Sequence, residues 1–328
     1  CEVHLFEKSN RLGGHTHTHQ LETADGLVHV DTGFIVFNDY NYPNFSSWLA
    51  QLQVPSQSSD MSFAVRDDIA QLEYGTTDLR AILANYGQLA RPRFWRMWRD
   101  LLRFYRQLDN GKIPDTTLGD YLSAHHYGST FVHSHIAPMC AALWSQPAAA
   151  TLDLSLRHVV EFMRNHKMLN VADRPQWRVV CGGSSAYLHA FQQHFSGSVH
   201  LDCDVNTIRR TPGGVEFGQG PERSFDAVVL ACHADQSLQL LADANPIEKA
   251  VLGDLPYQGN DVYLHEDGSF MPRTRHCWSS WNVIREADGA YTITYWMNKL
   301  QSLECAEQFF VTLNPQRRPE RVRWPVSY

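Results

Sequence analysis

The first 37 residues constrain the fold more than any other stretch of the chain. Val3, Leu5 and Phe6 make a short apolar run that ends on Glu7, and Arg11, Gly13 and Gly14 follow as an R-x-G-G turn. An acidic side chain at the end of a buried strand can accept both hydroxyls of a ribose, as it does after a dinucleotide-binding fingerprint. Glycines let backbone N–H groups come close to phosphate. Arg11 adds a planar cationic fork suited to a pyrophosphate. Beyond the turn, residues 16–21 and 27–31 alternate around Asp25-Gly26, which predicts a hairpin. Gly33 follows Asp31-Thr32, where a close ligand would leave no room for a Cβ.

Taken together, Glu7-Lys8, Arg11, Gly13-Gly14-His15 and the later Asp31-Thr32-Gly33-Phe34 resemble the opening of the amine oxidase / phytoene desaturase / protoporphyrinogen oxidase superfamily. They are most similar to a bacterial branch of NAD/FAD-binding, amine-oxidase-like proteins. The resemblance implies an FAD cofactor. It implies that Glu7 binds the adenosine ribose and that Arg11, Gly13 and Gly14 lie along the pyrophosphate and flavin, with His15 and Thr16 continuing that turn. It places Gly33 and Phe34 on a strand beside the isoalloxazine ring, and the backbone of Val205 against the adenine. The G-x-G-x-x-G loop of such proteins has no counterpart before Cys1, and their closing ribityl-binding segment has none after Tyr328, so the chain reads as truncated at both ends. The implied fold is α/β: a Rossmann-like FAD-binding domain lacking its first strand and Gly-rich loop, plus an α+β substrate domain with a mixed sheet and a helical block.

A length of 328 residues suits about two domains. The expected division is discontinuous: 1–56 with 178–240 for the cofactor, 57–177 with 241–328 for the substrate. The net charge of −7 is spread along the chain, without the concentrated basic face of a nucleic-acid protein, so no nucleic-acid partner is expected. Seven cysteines form no C-x-x-C pair, which fits reduced thiols and a cytoplasmic location better than a disulfide framework. No apolar run is long enough to span a bilayer.

Periodicity predicts a helix over 42–53 and strands over 62–66 and 71–74. Residues 78–107 read as two helices parted at Pro92. The second puts Arg96, Arg99, Arg103 and Arg106 on one face. That face reads either as a solvated cover over packed aromatics or as peripheral membrane contact through 93–106. Helices follow over 117–126, with Thr117 as cap, then 131–144 and 152–169. A strand at 177–180 leads into Gly182-Gly183-Ser184-Ser185 and a helix over 186–195. Strands over 199–201 and 205–208 read as a pair, and the apolar run 226–233 as a buried parallel strand. Strands at 261–265, 276–284, 291–297 and 309–313 are assigned to a substrate-domain sheet.

His15, His17 and His19 alternate and could present three imidazoles on one strand face. The plainer reading makes His15 a replacement for a basic residue after Gly-Gly and leaves the other two on the surface, so no metal is expected. Candidates on the substrate side are His265, Trp278, Trp281, Asn298 and Lys299, with His265 and Lys299 as the catalytic candidates; the resemblance suggests a lysine near the flavin N5. The function expected is an FAD-dependent oxidoreductase. It takes hydride from a C–N or C–C bond of a small organic, apolar substrate, acyl or isoprenoid in kind. The alternative is a non-catalytic flavoprotein-fold binding protein that associates with a membrane or a partner.

Overall fold

The computed structural model describes residues 1–109, 111–170, 173–218 and 224–327. The chain divides into two compact units, one of residues 1–14 with 191–259, the other of residues 15–190 with 260–328.

In the smaller unit, His4–Phe6 pairs in parallel with Ser198–His200, and the Glu7 amide extends the ladder to the His200 carbonyl at 2.9 Å. Parallel pairing of two short strands needs a long crossover, which the intervening chain supplies. Ile208–Thr211, Gly214–Phe217 and Ser224–Phe225 form an antiparallel meander. Phe6 meets Phe217 and Phe225 edge-on, with ring centroids 5.2 and 5.6 Å apart.

Two expectations are corrected here. Residues 199–201 and 205–208 do not pair with each other, because the first joins His4–Phe6 and the second begins the meander at Ile208. The 226–233 run is not a buried parallel strand: after Phe225 no described residue of it joins a ladder, and Val229 is 88% exposed. Apolar composition alone does not make a strand; without a hydrogen-bonded neighbour on either edge, the run stays irregular.

The larger unit is built on a seven-stranded mixed sheet. Its order is Val322–Ser327, Asp261–His265, Phe310–Leu313, Tyr291–Trp296, Trp281–Arg285, Phe63–Asp67, Leu72–Gly75. Only the Trp281–Arg285 to Phe63–Asp67 pairing is parallel. The sheet therefore gathers strands from 57–177 and 241–328. Strand 276–284 shortens to Trp281–Arg285, preceded by a 3-10 turn at Arg275–Cys277.

Helices Pro92–Asp109, Ala137–Trp144 and Leu156–Asn165 bury Phe94, Phe104, Ala141 and Val160 in the same core as Val65, Tyr74 and Ile293. Pro92 begins its helix, where its missing N–H costs nothing. Thr117 caps Leu118–Ala124 by accepting from the Asp120 amide at 3.1 Å. The helix predicted over 131–144 contains a π-helical stretch, Val132–Ile136. The hairpin is as predicted: Thr18–Thr23 pairs with Gly26–Asp31 across Ala24-Asp25. The strand Ser56–Ser58, too polar to show a period, pairs with Arg178–Val180 beside Val36–Phe37. Among the described residues, no helix is long and apolar enough to cross a membrane. All seven cysteines are unpaired.

Candidate active site

In the smaller unit, Glu7 stands at the C-terminal end of its parallel strand, the end at which open α/β sheets bind ligands. Its Oε1 accepts the Ser9 amide at 2.8 Å, which points the half-buried carboxylate back over the following turn. Gly13 and Gly14 have φ of 114° and 53°, conformations that a side chain would strain. A Cβ on Gly14 would meet nothing within 4 Å, so open space flanks the turn. Arg11 braces this loop, donating Nη2 to the Gly14 carbonyl at 2.9 Å and Nη1 to Leu12 at 3.4 Å. Val205 is half-buried against the meander core of Ile208, Val215 and Phe217, its amide donating to Cys203 at 3.2 Å.

In the larger unit the organising group is Asp31, which is not among the candidates the sequence supplies. Its carboxylate is fully buried and accepts from Thr18 Oγ1 at 2.5 Å, the Ser184 amide at 3.0 Å, Ser184 Oγ at 2.7 Å and Gln301 Nε2 at 2.7 Å. Gln301 reciprocates, its Oε1 accepting the Asp31 amide at 2.9 Å. Thr18 Oγ1 also accepts from the Ser185 amide at 2.8 Å. Burial pushes the Asp31 carboxyl above its usual range, against the opposing pull of Thr18, Ser184 and Gln301. Since every partner of the carboxylate is a donor, the ionised form satisfies them all.

This node fastens the Gly182-Gly183-Ser184 turn to the hairpin. Gly182 and Gly183 have φ of 77° and 86°; a Cβ on Gly183 would lie 2.5 Å from Thr18 Cγ2, whereas one on Gly182 would meet nothing. Directly after Asp31, the Thr32 amide donates to the His17 carbonyl at 3.0 Å and the Phe34 amide to the His15 carbonyl at 2.8 Å. His15, Thr16, Gly33 and Phe34 thus continue the hairpin side by side. Thr16 is buried with its hydroxyl on that of Tyr187. Phe34, Phe45, Trp48 and Tyr187 form an aromatic wall, with centroids 5.3 Å apart for Phe34–Phe45 and 5.5 Å for both Phe45–Tyr187 and Trp48–Tyr187. Gly33 keeps an ordinary φ, so its backbone does not itself require glycine.

Of the three alternating histidines, His19 is not on the surface: it is buried, with Nε2 3.0 Å from Thr32 Oγ1 and its ring 4.1 Å from that of His17. His15 is exposed.

Neither catalytic candidate has the surroundings of a free acid or base. His265 is fully buried in the sheet; its Nδ1 accepts the Asp267 amide at 3.0 Å and its Nε2 pairs with Thr312 Oγ1 at 2.7 Å. Burial pushes its pKa down to about 4, so it is a neutral imidazole with both nitrogens occupied. Lys299 Nζ donates to Thr77 Oγ1 at 3.0 Å and lies 3.6 Å from Asp60 Oδ1. Burial raises the Asp60 carboxyl, but Ser62, Lys299 and Ser280 outweigh it and hold it below its usual value. Asn298 braces a loop between the Glu307 carbonyl and the Phe309 amide, both at 2.7 Å. Trp278 carries the Arg275 guanidinium 3.7 Å above its ring, and Trp281 packs edge-on against Tyr295 at 4.9 Å.

A carboxylate ends a parallel strand of the smaller unit, and a two-glycine turn follows it. Residues 1–259 match the family model of flavin containing amine oxidoreductases, and the chain belongs to that family. It is an FAD-dependent oxidoreductase. Solved structures share the fold at low identity. Cyclohexylamine oxidase from Brevibacterium oxydans IH-35A superposes with a TM-score of 0.64 at 14% identity, over 94% of this chain and 68% of that one. Putrescine oxidase bound to putrescine gives 0.65 at 12%, over 94% and 69%. The CLA-producing fatty acid isomerase from P. acnes gives 0.63 at 11%, over 98% and 79%. No curated protein matches the sequence.

The residues present fit the cofactor. The strand-end carboxylate of Glu7 has the chemistry to accept hydroxyls of a ribose, and a Cβ on Gly14 would meet nothing within 4 Å. The positive-φ Gly182, equally open, sits beside a fixed hairpin.

Proposed function

We propose that this flavoprotein takes hydride from a C–N or C–C bond of an apolar organic substrate, acyl or isoprenoid in kind. Bound FAD supplies the ring that accepts the hydride; the chain's own residues bind, orient and exclude water. Glu7 would hold the adenosine ribose, Gly13 and Gly14 would give backbone to the pyrophosphate, and His15, Thr16, Gly33 and Phe34 would lie toward the ring. Val205 would offer its backbone to the adenine. Arg11, tied to its own turn, would act by holding Gly14 in place. Residues 1–56 and 178–240 would serve the cofactor, and 57–177 and 241–328 the substrate. Seven unpaired thiols support a reducing, cytoplasmic setting.

The observation that carries the apolar reading is the wall of Phe34, Phe45, Trp48 and Tyr187 beside the Gly33 strand. Four aromatic side chains make an environment that excludes water and offers a polar substrate few partners; the Tyr187 hydroxyl is already engaged by Thr16. Two of the fold relatives are named for amines and one for a fatty acid. Anaerobic bleaching of the FAD-loaded chain by a panel of amines, fatty acyl compounds and isoprenoids tests the reading. Bleaching by an apolar member is expected. Bleaching by a small polar diamine alone would overturn the apolar assignment.

A further inference from the structure

The chain carries 28 Lys and Arg against 35 Asp and Glu, and while its excess acids are spread along the chain, several of its arginines gather on one helix. Residues 79–109 hold seven arginines, Arg80 among them, against two acids, Asp100 and Asp109. On the helix Pro92–Asp109, about 100° per residue brings Trp95, Arg96, Arg99, Leu102, Arg103 and Arg106 onto roughly a third of the circumference. The opposite side buries Phe94, Met97, Leu101, Phe104, Tyr105 and Leu108.

Asp100 does not neutralise this face. It is buried, its Oδ2 accepts the Gly128 amide at 2.9 Å, and Arg96, Arg99 and Arg103 stand 3.7–3.8 Å from it, three cations around one carboxylate. Arg106 and Arg80 have no ion-pair partner among the described residues. Two large apolar side chains of the same helix, Trp95 and Leu102, lie open among these cations. Trp95 is 53% exposed and Leu102 44%, and on the two short helices before them Leu79 and Tyr86 are 73% and 81% exposed.

We propose that this face docks on an anionic lipid bilayer. The guanidinium groups would pair with headgroup phosphates, and Trp95 and Leu102 would enter the headgroup–acyl boundary. Cations pull toward an anionic surface at long range, and interspersed aromatic and aliphatic side chains give the short-range anchor. An acidic protein or a nucleic acid would use the charge but would not require exposed leucines. The inference rests on charge and exposure alone and is independent of the flavin reading.

Co-sedimentation of the 328-residue chain with lipid vesicles tests it, comparing phosphatidylcholine alone with phosphatidylcholine containing about a third phosphatidylglycerol, at low and high salt. Binding is expected only to the anionic vesicles, and should fall as salt is raised. R99E/R106E should lower the partition coefficient roughly 25-fold or more, and L102S several-fold, with far-UV circular dichroism unchanged. Should the double variant misfold, R106E alone carries the test, since Arg106 holds no ion-pair partner among the described residues. Failure of the wild type to bind anionic vesicles, binding that R106E leaves untouched, or capture by polyglutamate or RNA but not by vesicles would each overturn the proposal.

Discussion

Asp31 shows how one carboxylate can fix a two-glycine turn against a hairpin. Four donor groups from three segments converge on it: the hairpin through Thr18, the glycine turn through Ser184, and the end of the Met297–Leu300 helix through Gln301. Replacing Asp31 with Asn turns one acceptor into a donor facing other donors, so at least one buried N–H or O–H loses its partner. The expected cost is roughly 3 kcal/mol of folding stability, read as a lower urea midpoint. The larger effect should be on flavin, because a loosened Gly182-Gly183 turn no longer presents a fixed surface. An Asp31→Asn variant with unchanged midpoint and unchanged flavin affinity would remove Asp31 from this positioning role. In the sequence, Asp31 is visible only as the acid of an Asp-Thr-Gly triplet. Nothing there shows that residues 153 positions downstream bond to it.

At the scale of elements, what was legible followed from local rules. The hairpin rests on alternation and an Asp-Gly turn, the break at Pro92 on a missing N–H, and the Thr117 helix start on a side-chain cap. What was not legible depended on partners distant in sequence. The 226–233 run has the composition of a buried strand and lacks a neighbour to pair with, while Ser56–Ser58 has no strand composition and pairs because Arg178–Val180 lies beside it. His265 looked like a candidate base because a sequence cannot show that both its nitrogens are already bonded.

The π-helical stretch adds a second buried imidazole. His135 pairs Nδ1 with Tyr74 Oη at 2.6 Å, its Nε2 has no hydrogen-bond partner among the described residues, and burial pushes its pKa down to about 4. His135 and His265 are both neutral in the fold, whereas the unfolded chain takes up protons near pH 6.5. The unfolded state therefore binds more protons between pH 6.5 and 4. Their stabilisation is complete above 6.5 and is lost as pH falls toward 4, by roughly 3 kcal/mol for each histidine. Thermal midpoints measured across that window should fall steeply for the wild type and less steeply for His135→Phe. Equal slopes would show that His135 is not neutral in the native state.

For the whole molecule, the family assignment and the two compact units each carry a part of the expected chemistry. Glu7, Gly13 and Gly14 lie in one unit, and the Asp31 node with Gly33 and Phe34 in the other. The opening motif pointed to flavin through its resemblance to a family, because neither Glu7 nor the Gly13-Gly14 turn by itself tells FAD from another nucleotide. The substrate was less legible. Side chains that line a cavity and side chains that fill a core draw on the same aromatic residues.

A titration of flavin-free chain with FAD, followed by the quenching of flavin fluorescence, probes the assignment at its root. One equivalent of FAD should bind, with oxidised-flavin absorption bands in the complex, and Glu7→Ala should weaken binding roughly tenfold or more, as loss of a charge-assisted hydrogen bond to the ribose requires. A chain that takes up no FAD, or one in which Glu7→Ala binds as tightly as the wild type, would contradict the placement of the nucleotide at this strand end.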